Sequence, residues 1–300
     1  MMRSMFTAQS GLKAHQILLD VTSNNLANVN TIGYKNSRTS FQDSLTQLQG
    51  TGAASSPGYG GSNSKQIGLG VNVGSIGNQM GSGSFQVTGG SLDIAIQGEG
   101  WVRVGNGTTT PGNPTAATPT GAEVNYTRAG NFSRNDKGFL VTTDGYYVMG
   151  KVGTDTAGGA GVADCYIEIP EGATNVAIAP DGAVSYIPPA GFTQPAALPP
   201  IGADGRAIAG YISLAKFSNE PGLERVTNNR WQATAQSGAP LDGTPGGKYG
   251  PAIAGVLEMS NVDMASEFTT MISAQRGFQA NSRVISTTDQ MLQDLVNLIR

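Results

Sequence analysis

Histidine, cysteine and charge are the scarce materials of this chain. One histidine (His15) and one cysteine (Cys165) occur in 300 residues. A single cysteine excludes an intrachain disulfide. Without a Cys/His cluster, neither a zinc centre nor a Cys–His or Ser–His catalytic pair is available. Charged residues make up 13% of the chain and the net charge is −3. That charged fraction is about half of the usual quarter. No basic patch stands out, so nucleic acid is not an expected partner. No apolar run approaches the ~18 residues of a membrane span. The opening stretch "MMRSMFTAQSGLKAHQILLD" lacks the apolar core and small-residue cleavage site of a secretory signal. Any exit from the cell is therefore expected to use another route. "GLGVNVG" lacks the lysine and hydroxyl residue of a phosphate-binding loop. Asp93, Glu99 and Asp136 lie in strand or turn contexts, and nothing favours a catalytic carboxylate pair among them. No catalytic residue, metal ligand or cofactor is expected, and the chain does not read as an enzyme.

Small residues take the place of charge. Glycine alone accounts for 43 positions, and Ser, Thr, Asn and Ala are abundant. Such a composition suits a β body with many turns, or a protein that packs against copies of itself. At the C-terminus Met264, Met271, Phe278, Ile285, Leu292 and Ile299 recur every seven residues. Their partners at Phe268 and Val296 are apolar, whereas Gln275, Ser282 and Asp289 are polar. A helix over 264–299 would run about 54 Å. Ser260 and Asp263 have the spacing of a capping box, and Asn261 and Asp263 are both candidate N-caps. Gly277 would let a neighbouring backbone come close. Met5, Leu12, Leu19 and Leu26 carry the same period at the N-terminus. A period of seven reads as a left-handed coiled-coil seam rather than a broad core face. His15, inside that helix, reads as a surface or interface residue.

At the end of the first helix stands "NNLANVNTIGYK". Asn24, Asn25 and Asn28 are placed to bond the carbonyls that a helix end frees, and Gly33 to turn the chain at φ > 0. "FQDSLTQLQ" is weakly helical, and the Gly/Ser-rich 50–64 reads as a flexible spacer. From "QIGLGVNVGSI" onward, short alternating runs are cut by Gly and Asp-Gly turns: "SLDIAIQG", "GWVRVG", "VNYTRAGNFS", "GFLVTTDGYYVMG", "YIEIP", "VAIAPDGAVSYI", "YISLAKF" and "RWQATAQSG". These predict an antiparallel β domain. Cys165 reads as a small buried strand residue, with cross-linking between subunits as the sharper alternative. The expected fold is a mainly β body with paired terminal helices forming a coiled-coil-like rod. Residues 1–30 and 258–300 would form a helical core, 31–70 a linker, and 71–257 a β-rich outer domain.

The quoted motifs carry a resemblance. "NNLANVNTIGYK" resembles the N-terminal signature of the bacterial flagellar rod and hook proteins, in which Asn24, Asn25, Leu26, Asn28 and Gly33 take part. "LDIAIQGEGWVRV", "YTRAGNFSRNDKGFLVTTDGYYVMG" and "FSNEPGLERVTNNRW" are similar to the family's body in order. The final "GVLEMSNVDMASEFTTMISAQRGFQANSRVISTTDQMLQDLVNLIR", with Ser260, Asn261 and Asp263, resembles its C-terminal helix. Within the family, "LVNLIR" and "KQIGLGV" look most like the hook members, and the distal-rod members come second. The resemblance implies a multi-domain subunit that assembles with itself into a helical tube on the cell exterior. It implies passage through the flagellar export apparatus and neighbours in the rod, the hook cap and the hook–filament junction. A hook subunit would serve a flexible joint that transmits torque, and a distal-rod subunit a rigid shaft. A secreted β-rich adhesin would explain the polar body but not the matched terminal heptads, and an enzyme would need a convergent polar site.

Overall fold

A computed structural model describes residues 2–54, 60–107, 123–152, 164–189, 205–246 and 248–298. The chain divides into two compact units. One holds 1–29, 36–79 and 262–300, and the other holds 30–35 and 80–261.

The first unit is built on helices α1 (Met2–Ala27) and α2 (Met264–Leu298). The 35 residues of α2 span roughly 52 Å at 1.5 Å per residue. Of the two candidate N-caps, Asp263 takes the role. Its side chain accepts the Ala265 N–H at 3.0 Å, and its carbonyl accepts the Glu267 N–H. That satisfies donors which a helix start otherwise leaves free. At the C-terminal end of α1, the Asn24 carbonyl accepts both the Asn28 N–H, at 3.2 Å, and the Asn28 side chain, at 2.9 Å.

The segment expected to be weakly helical is instead two strands, Ser37–Asp43 and Thr46–Gly50. Ser37–Asp43 pairs antiparallel with Val71–Asn78, and Thr46–Gly50 pairs with Lys65–Gly68. Ladder bonds override the weak three-residue spacing of Leu45 and Leu48. Ala53 and Ser62 extend the hairpin by exchanging bonds of 2.9 and 3.0 Å. The Gly/Ser-rich stretch is thus paired at Ala53 and Ser62, and residues 55–59, with Pro57 and Tyr59, fall outside the described residues. The expected 31–70 linker therefore does not coincide with a unit boundary. Val71 and Val73 line a groove with Phe6, Ala14 and Ile17 of α1, and Ser10 accepts the Val71 N–H at 3.2 Å. This packing draws the ribbon into the helical unit.

The second unit is antiparallel β. Among the described residues its largest sheet has thirteen strands, whose main path runs Thr174–Ile178, Ala183–Ile187, Ala207–Ile212, Tyr147–Lys151, Trp101–Gly105, Val124–Thr127, Arg230–Gln232 and Glu224–Arg225. Every recorded strand pair is antiparallel, as the short runs and glycine turns predict. Ile94, Val104, Leu140, Val148, Ile167 and Ile212 fill one core. Trp101 and Trp231 meet edge-on, 5.6 Å apart, in a second. Cys165 is fully buried on the strand Asp164–Tyr166, and burial pushes its thiol up to about 12. The stretches 108–122 and 190–204, rich in Pro, Thr and Ala and read from the sequence as exposed loops, lie outside the described residues.

Candidate assembly site

Two groups of residues stand out, one in each unit. In the first unit, α1 and α2 lie antiparallel. A Cβ on Gly11 would meet Asn281, a Cβ on Gly277 would meet the His15 ring at 2.5 Å, and the Asn25 amide donates to Glu267 at 3.2 Å. Ala8, Gly11, Ala14, Thr22 and Asn25 are the buried positions of α1, and Ala274 and Thr288 those of α2. The face between the helices is therefore made of small and polar side chains. Gly277 does admit a close neighbour, but the neighbour is the His15 ring rather than a backbone. His15 is accordingly an interface residue of this pair.

The large heptad residues lie beside this face or away from it. Met5, Leu12, Leu19 and Leu26 are half-buried, as are Met271, Ile285 and Leu292. Met264, Phe268, Phe278 and Val296 are exposed, and Ile299 lies outside the described residues. Ile272, Val284, Met291, Leu295 and Leu298 of α2 are exposed as well, and so is Phe6 of α1. Small residues let the helix backbones approach closely, which leaves no room between them for leucine and phenylalanine. The seven-residue period is real, but the intrachain contact uses a neighbouring stripe.

Asn25 shows why three asparagines stand at the end of α1. It donates to the Ser37 carbonyl at 2.8 Å and accepts the Ser37 N–H at 3.0 Å, so it anchors the returning strand. Burial holds the Glu267 carboxyl above its usual range, Asn25 opposes that by its hydrogen bond, and Asp263 adds to it.

In the second unit, Gly33 turns the chain at φ +67°, where a Cβ would lie 2.7 Å from the backbone of Arg128 and Ala129. This is the conformation expected of it, and no other residue fits the space. Beyond the turn, Lys35 is wholly buried and its ammonium meets Glu258 at 2.7 Å. The other Glu258 oxygen accepts from Arg128 at 3.2 Å. Further bonds tie the group in: Lys35 donates to the Gly81 carbonyl at 2.9 Å, Gly83 N–H to Glu258 at 3.1 Å, and Arg128 to the Gly98 carbonyl at 2.6 Å, while the buried Arg128 Nε has no hydrogen-bond partner among the described residues. Burial pulls the Lys35 ammonium below the usual lysine range, and Glu258 pulls it part of the way back. Arg225 lies over the Tyr34 ring at 4.5 Å and over Trp231 at 4.9 Å, and donates to the Lys35 carbonyl. Asn261 joins the same group, donating to Gly81 at 3.1 Å. Ser260 is buried and does not begin α2.

Sequence reasoning missed Lys35, Arg128 and Glu258. A faint signal existed, since charge is scarce and Lys35 is the one charged residue of "NNLANVNTIGYK".

Comparison with known proteins bears on the same segments. Residues 5–35 match the family described as flagella basal body rod protein, 95–186 the D1 domain of the flagellar hook protein FlgE/F/G, and 253–298 the C-terminal part of flagellar basal body rod FlgEFG proteins. The flagellar basal-body rod protein FlgG of Bacillus subtilis is 42% identical over the whole of both chains. This chain belongs to the flagellar rod and hook protein family. FlgG of Caulobacter vibrioides is 39% identical over 97% of both chains. The flagellar hook protein FlgE of Borreliella burgdorferi is 27% identical over 99% of this chain and all of that one, in an alignment 454 residues long. For a rod and hook family member, the antiparallel helix pair and the signature turn at Gly33 fall in the two terminal matched segments. No described helix is long and apolar enough to cross a membrane.

Proposed function

We propose that this chain is the distal-rod subunit of the bacterial flagellum, assembling with itself into a straight helical tube that serves as a drive shaft. The observation that carries the reading is the end-to-end match at 42% identity to a rod protein named FlgG. That alignment is 302 residues long against 300 in this chain, whereas the hook relative requires 454. The rod assignment thus takes precedence over the hook assignment that "LVNLIR" and "KQIGLGV" favoured. The many exposed apolar side chains of α2 support self-assembly, because copies of the chain are what would cover them. Its partners would be further copies, the neighbouring rod and hook proteins, and the export apparatus that delivers it to the growing tip. We read the chain as structural rather than enzymatic. The test is genetic complementation in Bacillus subtilis. Expression of this chain should restore motility to a strain lacking its own FlgG. Rescue of a hook-deficient strain instead would overturn the rod reading in favour of the hook.

A further inference from the structure

The chain passes between its two units after residues 29, 35, 79 and 261. In the second unit, the residues beside three of these passages are bound to one another. Lys35 and Asn261 both donate to the Gly81 carbonyl, at 2.9 and 3.1 Å. The Asn261 N–H donates to the Tyr34 carbonyl, and the Gly33 N–H to the Glu258 carbonyl at 2.8 Å. Glu258 then gathers Lys35, Gly83 and Arg128 on its carboxylate. The Lys35 and Glu258 side chains have no exposure at all.

We infer that Lys35, Glu258 and Arg128 form a mechanical clasp that holds 30–35 and 256–261 to the second unit when tension enters through the helices. The bonds lie side by side between the entering and leaving segments, so tension loads several at once. Water cannot compete for them one at a time, because opening the first exposes a buried charge to an apolar interior. This clasp is a property of the single chain and does not depend on the rod reading.

The experiment is an optical-trap measurement on the full monomer with handles at its two ends. Once the helices are drawn off, tension enters the second unit at residues 30 and 261. Opening the clasp frees 30–79, about 50 residues or roughly 170 Å of extended chain. The expected record shows this step separately, before the remaining sheet unfolds. Lys35→Met should shorten its lifetime at fixed force, and Glu258→Gln should shorten it on the order of a hundredfold. Ile178→Ala, a core truncation in the sheet, should shorten only the later step. The absence of a separate step in the unaltered chain would overturn the clasp. So would lifetimes unchanged in Lys35→Met, or an Ile178→Ala effect on the first step as large as that of Glu258→Gln. Should Glu258→Gln fail to fold, Lys35→Met decides. A failed clasp would leave the complementation result untouched.

Discussion

Replacing Glu258 by glutamine changes one atom's identity and almost nothing of shape. The carboxylate oxygens receive Lys35 at 2.7 Å and Arg128 at 3.2 Å, with all three side chains at most 2% exposed. In Glu258→Gln, one oxygen still serves Lys35 and the Gly83 N–H. The amide nitrogen then faces the Arg128 guanidinium, donor against donor, and two buried cations share no anion. Breaking a buried ion pair from one side costs about 3–5 kcal/mol. For a domain of this size each kcal/mol is worth about 2–4 °C of melting temperature, so a fall of roughly 6–20 °C is expected. The chain has two tryptophans, Trp101 and Trp231, and both lie buried in the second unit. Tryptophan fluorescence therefore follows that unit's melting alone. Lys35→Met leaves Glu258 paired with Arg128 and Gly83, and should cost only about 1–3 kcal/mol. The double variant should be less destabilised than the sum of the two, because removing one cation relieves the other. A Glu258→Gln melt within ~2 °C of the unaltered chain, or strict additivity in the double variant, would refute the reasoning.

Three further outcomes follow from the same geometry. Gly277→Val should loosen the helix pair by about 1–3 kcal/mol through the His15 ring, and adding His15→Ala should recover much of it; helical circular dichroism during melting is the check. Glu267 is held above its ordinary value, so its ionised form costs the folded helix pair stability at neutral pH. That cost should fade as pH drops through the folded value towards 4.5, raising the helix melting temperature, and Glu267→Gln should flatten the rise. A thiol at about 12 rather than 9.0 means that Cys165 should react with iodoacetamide about a thousandfold more slowly in the folded chain than after unfolding. Denaturing gels of assembled material should likewise show monomer only, against the cross-linking alternative.

What could be read in the sequence was whatever depends on neighbours along the chain. The heptad period marked both helices, the short alternating runs marked the antiparallel body, and Gly33 and Asp263 announced a turn and a cap. Three features depended on distant residues and stayed hidden. "FQDSLTQLQ" suggested a weak helix until pairing of Thr46–Gly50 with Lys65–Gly68 placed its second half in a ribbon. The period located an apolar stripe on each helix, but not which stripe meets the partner helix; Ala8, Gly11 and Ala274 were too small to register as a seam. Lys35 and Arg128 lie 223 and 130 positions from Glu258, their shared ion-pair partner, so no local pattern could join them.

The central claim is that copies of this chain build a straight shaft. Electron microscopy of the purified protein, induced to polymerise, tests it most directly. The account predicts straight hollow tubes, lost in Phe268→Asp or Met291→Asp while tryptophan-detected melting of the second unit stays unchanged. Curved tubes would contradict the rod assignment, and dispersed monomers across the whole range of protein concentration, salt and pH tried would contradict self-assembly itself.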